Sequence, residues 1–219
     1  MLKNGNEMFN PQPIILLFIT VVALVWSGYE PYDRMTWVLE TCPVMIGIAL
    51  LLFFWRRFPL TLLLCWLLCF HALILIWGGH YTYARVPFGL WLQDIFDFSR
   101  NHYDRIGHLA QGFVPAILAR EILLRRSPLH SGKWLVLVVT SICLAFSAFY
   151  EMLEWWTALI SQEAAEAFLA TQGDIWDTQW DMFLALIGAL IAQIVLSPWH
   201  DRQLTALDHK LGPKLSGTA

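Results

Sequence analysis

The stretch WVLETCPVMIGIALLLFFWRRFPLTLLLCWLLCFHALILIWG, residues 37–78, decides the fold. Two apolar runs of about 20 residues flank Arg56-Arg57-Phe58, and about 20 residues at about 1.5 Å each is the length an α-helix needs to cross a bilayer. Neither run alternates as a half-buried strand does, and neither shows the polar stripe of a surface helix. The rest of the chain agrees. Of its 219 residues, 58% are hydrophobic and 14% are charged. A soluble domain has about 25% charged residues, so this chain cannot cover itself in polar groups. Mean hydropathy is +0.54. Those values exclude a cytosolic enzyme, a nucleic-acid binder and a disulfide-stapled secreted domain. Cys42, Cys65, Cys69 and Cys143 all lie in apolar stretches without CxxC spacing, and read as packing residues.

Working outward gives an all-α polytopic membrane protein: one domain, a bundle of six transmembrane helices at about 13–28, 37–55, 59–78, 104–124, 133–156 and 178–198. Nine of the twelve tryptophans stand at these boundaries: Trp26, Trp37, Trp55, Trp77, Trp134, Trp155, Trp156, Trp180 and Trp199. Indole prefers the headgroup level, so they form an aromatic belt. With the N-terminus cytoplasmic, one side carries Lys3, Arg56, Arg57, Arg120, Arg125, Arg126, Lys133, Arg202, Lys210 and Lys214. The other carries only Arg34, Arg85, Arg100 and Arg105. Ten against four puts both termini in the cytoplasm. The two long connections then face outward. Residues 79–103 are aromatic-rich, with an expected interfacial helix over 87–98. Residues 157–177 hold Glu163, Glu166, Asp174 and Asp177 but no Lys or Arg, and the Ala-rich 162–171 part is expected to be helical.

Spans one to three read as nearly pure hydrocarbon; spans four to six do not. The clean apolar run at 182–197 is too short to cross alone, which draws Asp181 and Asp177 to the membrane edge. Helical spacing puts Asp104, His108 and Gln111 on one face, Glu151 and Glu154 on another, and Asp174, Asp177 and Asp181 on a third. All lie toward the outer ends of their helices, with His80 and His102 in the adjoining loop. Ionisable groups in a span face the bundle interior, so the three ends are expected to converge. Carboxylates gathered together repel unless protonated or joined by a cation, and carboxylates with imidazole suit a divalent metal ion. The expected ligands are Asp104, His108, Glu151, Glu154, Asp177 and Asp181, with His80 and Asp174 at the periphery. Glu151 and Glu154 are the candidate catalytic bases, and Arg105 and Gln111 the candidate substrate contacts. The bland alternative is that Arg85, Arg100 and Arg105 neutralise the acids in an outer salt-bridge network. Elsewhere, His71 and Gln193 read as helix–helix hydrogen-bond partners. Ala185, Gly188, Ala189 and Ala192 read as a close-packing face, and Arg120 and Glu121 as a snorkelling pair.

With HYDRIGHLAQG at 102–112, FYEMLEWW at 149–156 and GDIWDTQWDM at 173–182, the chain resembles the YjdF family of bacterial inner-membrane proteins over roughly residues 8–209. The resemblance implies the inner membrane as location and supplies no mechanism. More remotely, the second half is similar to VanZ-like membrane proteins. Asp104-Arg105-x-x-His108 fits their first pattern. Glu151-x-x-Glu154 departs by placing Glu where Gln is usual, and Asp181 stands where Asn is usual. Both departures make this site more acidic and favour a cation.

The expectation is an inner-membrane protein with an acidic, metal-binding pocket on the periplasmic side, acting on or binding a lipid-linked or amphipathic molecule. A cation- or proton-coupled transporter, with His71 as a relay, and a non-catalytic assembly or envelope-stress factor are the alternatives. Membrane lipid is the expected partner in every case; nucleic acid is not.

Overall fold

A computed structural model describes residues 10–160 and 171–211. The Ala-rich helix expected from residue 162, with Glu163 and Glu166, lies outside them. Among the described residues there are seven α-helices, one 3₁₀ turn and no strand. The helices are α1 (Gln12–Ser27), α2 (Arg34–Phe54), α3 (Leu62–Tyr81), α4 (Pro87–Phe96), α5 (Tyr103–Arg126), α6 (Lys133–Ile160) and α7 (Asp177–Leu211), with the 3₁₀ turn at Tyr83–Arg85. Local chemistry sets several ends. The Asp33 carboxylate accepts the Thr36 N–H at 2.7 Å and starts α2, and the Thr61 hydroxyl accepts the Leu64 N–H to start α3. Asp97, left-handed at φ 52°, ends α4.

Four helices are long and apolar enough to cross a membrane: α2, α3, α6, and α7 over Asp177–Lys210. The apolar helix α1 is shorter. Helix α5 is different in kind, since it buries Asp104, His108, Arg120 and Glu121. Packed against α3, α6 and α7, it turns little surface to lipid, and so tolerates charges that a lipid-facing helix would not. Its lower half joins the main core, where Ala116 and Ile117 meet Leu64, Leu135, Val139, Cys143, Ala189 and Ala192. A smaller core of Val44, Ala72 and Ile76 ties α2 to α3. All four cysteines are free thiols.

The small-residue face of α7 lets it lie directly on α5. A methyl group at Gly112 would collide with the Ala185 carbonyl, and one at Gly188 with the Leu109 carbonyl. Backbone-to-backbone approach of this kind is what small residues permit in membrane bundles. It also brings the Asp104–His108 turn of α5 beside the Asp177–Asp181 turn of α7.

Three details differ from the sequence reading. First, α7 continues through Pro198 to Leu211. One proline removes one backbone donor, and the turns beyond it are held by burial of His200 and Leu204 and by Gln203, which accepts the Leu63 N–H at 2.8 Å. Second, eight of the nine boundary tryptophans are exposed, as a belt requires, but Trp37 turns inward and donates its indole N–H to the Ser27 hydroxyl at 3.0 Å. Third, span two is not pure hydrocarbon, for it carries Glu40, only 3% exposed.

Candidate functional site

His108 is the centre of the acidic cluster. It sits one turn below Asp104 on α5, and its Nε2 lies 3.5 Å from Asp104 Oδ1, 3.8 Å from Glu151 Oε1 and 3.9 Å from Asp181 Oδ2. Three helices thus supply three carboxylates around one imidazole nitrogen. Two sets of ligand atoms, Asp104–His108–Asp181 and His108–Glu151–Glu154, each lie within 4.8 Å of one another, and every member is buried. None of the three contacts to Nε2 has the 2.7–3.2 Å length of a hydrogen bond. Among the described residues, His108 Nδ1, Glu151 Oε1 and Asp181 Oδ1 have no hydrogen-bond partner. A buried polar atom left so demands an explanation.

Asp177 and Asp174 follow the salt-bridge alternative instead. Arg100, arriving from the loop before α5, stands 2.5 Å from Asp177 Oδ1, 3.6 Å from Asp174 Oδ2 and 3.9 Å from Asp104 Oδ2. Arg105 donates to Asp174 Oδ2 at 2.6 Å, lies over the Trp180 ring, and also approaches His102 Nδ1 at 3.3 Å. Burial, then the Arg105 and Arg100 guanidiniums, lower the His102 pKa below the ordinary imidazole value. The neutral ring can therefore accept a guanidinium hydrogen. Arg85 stays out of this network and packs over the Tyr32 ring at 4.1 Å. His80 is likewise elsewhere: its Nδ1 is 2.8 Å from the Ser27 carbonyl and its ring packs on Trp26, because the last turn of α3 abuts α1. The expected set thus divides into an inner cluster (Asp104, His108, Glu151, Glu154, Asp181) and an arginine-matched rim (Asp174, Asp177, Arg100, Arg105). Gln111 lies one turn below His108 on α5, and its Oε1 has no hydrogen-bond partner among the described residues.

Residues 12–202 match a family described as "Predicted membrane protein (DUF2238)". The chain belongs to that family. It is also 48% identical over 197 residues to "Inner membrane protein YjdF" of Escherichia coli (strain K12), covering 88% of this chain and 94% of that protein. No solved structure matches it. This DUF2238 member is therefore a helical inner-membrane protein.

Sequence reasoning missed two residues at the acidic cluster of this DUF2238 chain. Tyr150, the neighbour of Glu151, donates its hydroxyl to Glu40 Oε2 at 2.9 Å, and its ring meets His108 edge-on. Through Tyr150, Glu40 brings α2 to the edge of the site as well. The available signal was Glu40 itself, a single carboxylate within the 37–55 apolar run.

At the other end of α5 a second buried group replaces the expected snorkelling pair. Glu121 is fully buried and accepts from the Thr61 hydroxyl at 2.7 Å, the Thr61 N–H at 3.1 Å and Arg125 at 2.9 Å. His200 Nε2 lies 3.0 Å from Glu121 Oε2, and Arg120 Nη1 lies 3.0 Å from His200 Nδ1. A guanidinium can only donate, so Nδ1 accepts and the Nε2–H donates to Glu121. Arg120 also pairs with Asp201 at 2.7 Å. Glu121 and Arg120 do not snorkel, because α3 and α7 cover them and offer partners. Every ring nitrogen of His200 is matched, which marks this cluster as a clamp.

Proposed function

We propose that the pocket is a divalent-cation site at the periplasmic end of a six-span bundle, serving a lipid-linked or amphipathic ligand, with both termini in the cytoplasm. The observation that carries this is the ring of three carboxylate oxygens at 3.5–3.9 Å around His108 Nε2. Ligand atoms about 2.1 Å from a tetrahedral ion stand about 3.4 Å apart. The spacing is too long for hydrogen bonds and near what a shared ion would impose. The pocket ligands are Asp104, His108, Glu151, Glu154 and Asp181; Asp177, engaged by Arg100, supports the rim.

One imidazole among carboxylates favours Mn²⁺ or Zn²⁺ over Mg²⁺ or Ca²⁺. Bound there, a divalent ion supplies Lewis-acid polarisation. Glu151 or Glu154 is the general base of an enzymatic version. Arg105 at the rim offers a charge for an anionic headgroup, and Gln111 a free acceptor deeper in. The ten-to-four distribution of Lys and Arg supports the orientation, since the clamp residues Arg120 and Arg125 fall on the basic side.

Thermal unfolding of detergent-purified protein tests the reading. After EDTA treatment, added Mn²⁺ or Zn²⁺ is expected to raise the midpoint saturably, by the equivalent of about 2.7 kcal/mol at a hundredfold excess over Kd. Asp181→Asn should lose this rise and Asp174→Asn should keep it. A wild-type protein whose midpoint no divalent ion moves would overturn the proposal.

A further inference from the structure

Helix α4 joins two helices at one boundary of the membrane. Helix α3, long and apolar enough to cross, finishes at Tyr81, and α5 sets out on the return at Tyr103. At ten residues α4 is too short to cross between them, so it stays at that boundary. Its sequence supplies an apolar stripe there. Phe88, Trp91 and Ile95, at i, i+3 and i+7, share a face of α4, and each is about half exposed. The Phe88 and Trp91 rings stack at 5.8 Å. Among the described residues no other helix packs closely on α4; its main neighbour is the 3₁₀ turn just before it. A contiguous stripe of large apolar side chains marks a surface that apolar matter covers. Trp77 near the end of α3 and Trp180 near the start of α7 are exposed at this same end of the bundle, so the stripe extends the lipid-facing belt.

Charge decides the kind of lipid contact. Residues 87–98 carry Asp94 and Asp97 and no Lys or Arg. Interfacial helices that bind anionic lipid add basic residues to the apolar face. Here the acids would repel such headgroups, and apolar insertion is left to hold the helix.

The helix is also fastened to the arginine rim. The Asn101 side chain donates to the Ala84 and Val86 carbonyls at 3.2 and 3.1 Å and accepts the Tyr103 N–H at 2.9 Å. Gln172 exchanges two hydrogen bonds of 2.9 Å with the Asn101 backbone. A methyl group at Gly89 would collide with Asn101 Oδ1, so only glycine lets α4 lie on this fastening. The starts of α4 and α5 are thereby tied together beside Arg100, the residue that holds Asp177 at 2.5 Å.

We infer that α4 is an in-plane anchor seated in the lipid of this face, held by its apolar stripe and not by charge, and that Asn101 fixes the arginine rim at the same depth. The anchor stands whether or not the His108 cluster binds a cation.

The test uses the full chain labelled with fluorotryptophan, in phosphatidylcholine nanodiscs, read by fluorine NMR. The resonances absent from Trp91→Phe and Trp180→Phe identify those two rings in the wild-type spectrum; Trp180 reports the rim, because Arg105 lies over it. Both are expected to broaden beyond detection with nitroxide-labelled lipid and to change little with an aqueous gadolinium chelate. Adding phosphatidylglycerol should leave this result unchanged. A Trp91 resonance broadened by the chelate alone would put α4 in water, and one broadened by neither reagent would put it against protein; either overturns the anchor. Broadening by lipid only when phosphatidylglycerol is present overturns insertion without charge. Trp91 broadened by lipid and Trp180 by the chelate alone overturns the shared depth.

Discussion

Glu121→Ala is expected to lower the unfolding free energy by about 3–5 kcal/mol, the usual cost of removing one partner from a buried charged group. The substitution leaves the Thr61 N–H and hydroxyl, Arg125 and the His200 Nε2–H without their common acceptor. Each of those donors was taken from water to reach Glu121, and Arg125 keeps a second acceptor, the Pro59 carbonyl at 2.7 Å. Glu121→Gln keeps an acceptor for Thr61 but loses the charge facing Arg125, so a smaller loss, about 1–3 kcal/mol, is expected. Equilibrium unfolding in mixed detergent micelles measures both. The clamp is 17 residues, or about 25 Å, along α5 from Asp104. Folded Glu121→Gln protein should therefore take up divalent ions as the wild type does. An Ala variant as stable as the wild type would mean that the clamp contributes nothing to the bundle.

A larger effect is expected from Gly112→Leu. The obstacle at Gly112 is the Ala185 backbone carbonyl, which cannot swing aside as a side chain can. Overpacking a core costs about 1–3 kcal/mol when side chains can adjust. Here α5 and α7 must separate, and the folded yield should fall to near nothing. Gly112→Ala should cost about 3 kcal/mol, the upper end of that range. Gly47→Ala is the control: no atom lies within 4 Å of a methyl group there, and helix propensity favours alanine by about 1 kcal/mol. The stability of the Gly112 and Gly47 variants, measured side by side, separates close approach from helix propensity. Because α5 and α7 supply three of the pocket ligands, partly folded Gly112→Ala protein should also bind cations more weakly.

The helices were legible because lipid imposes a single demand, about 20 apolar residues in a row, and residues 37–78 meet it twice. The side-chain cluster was legible in outline because Asp104 and His108 share a face of α5, as Glu151 and Glu154 share one of α6. Helical spacing is a local property that sequence carries directly. What it does not carry is which neighbour claims each acid. Asp177 and Asp181 share a face of α7, yet Arg100, fixed by a loop 77 residues earlier, takes Asp177. Glu40 escaped notice because a run of hydrocarbon masks one carboxylate, and its partner Tyr150 lies 110 residues along the chain. Helix α7 runs past residue 198, where the expected span ends, because the clamp that carries it beyond Pro198 links residues 79 apart, Glu121 and His200. Local pattern placed the elements, and long-range pairing chose among their side chains.

A cation site at the His108 cluster requires bound metal in the purified protein. Elemental analysis of protein purified in detergent, without added metal or chelator, tests it most directly. The expected result is divalent metal in whole-number ratio to the chain, lost in His108→Ala and in Asp181→Asn, and retained in Asp174→Asn. Trace metal at one common level in the wild type and all three variants would contradict it.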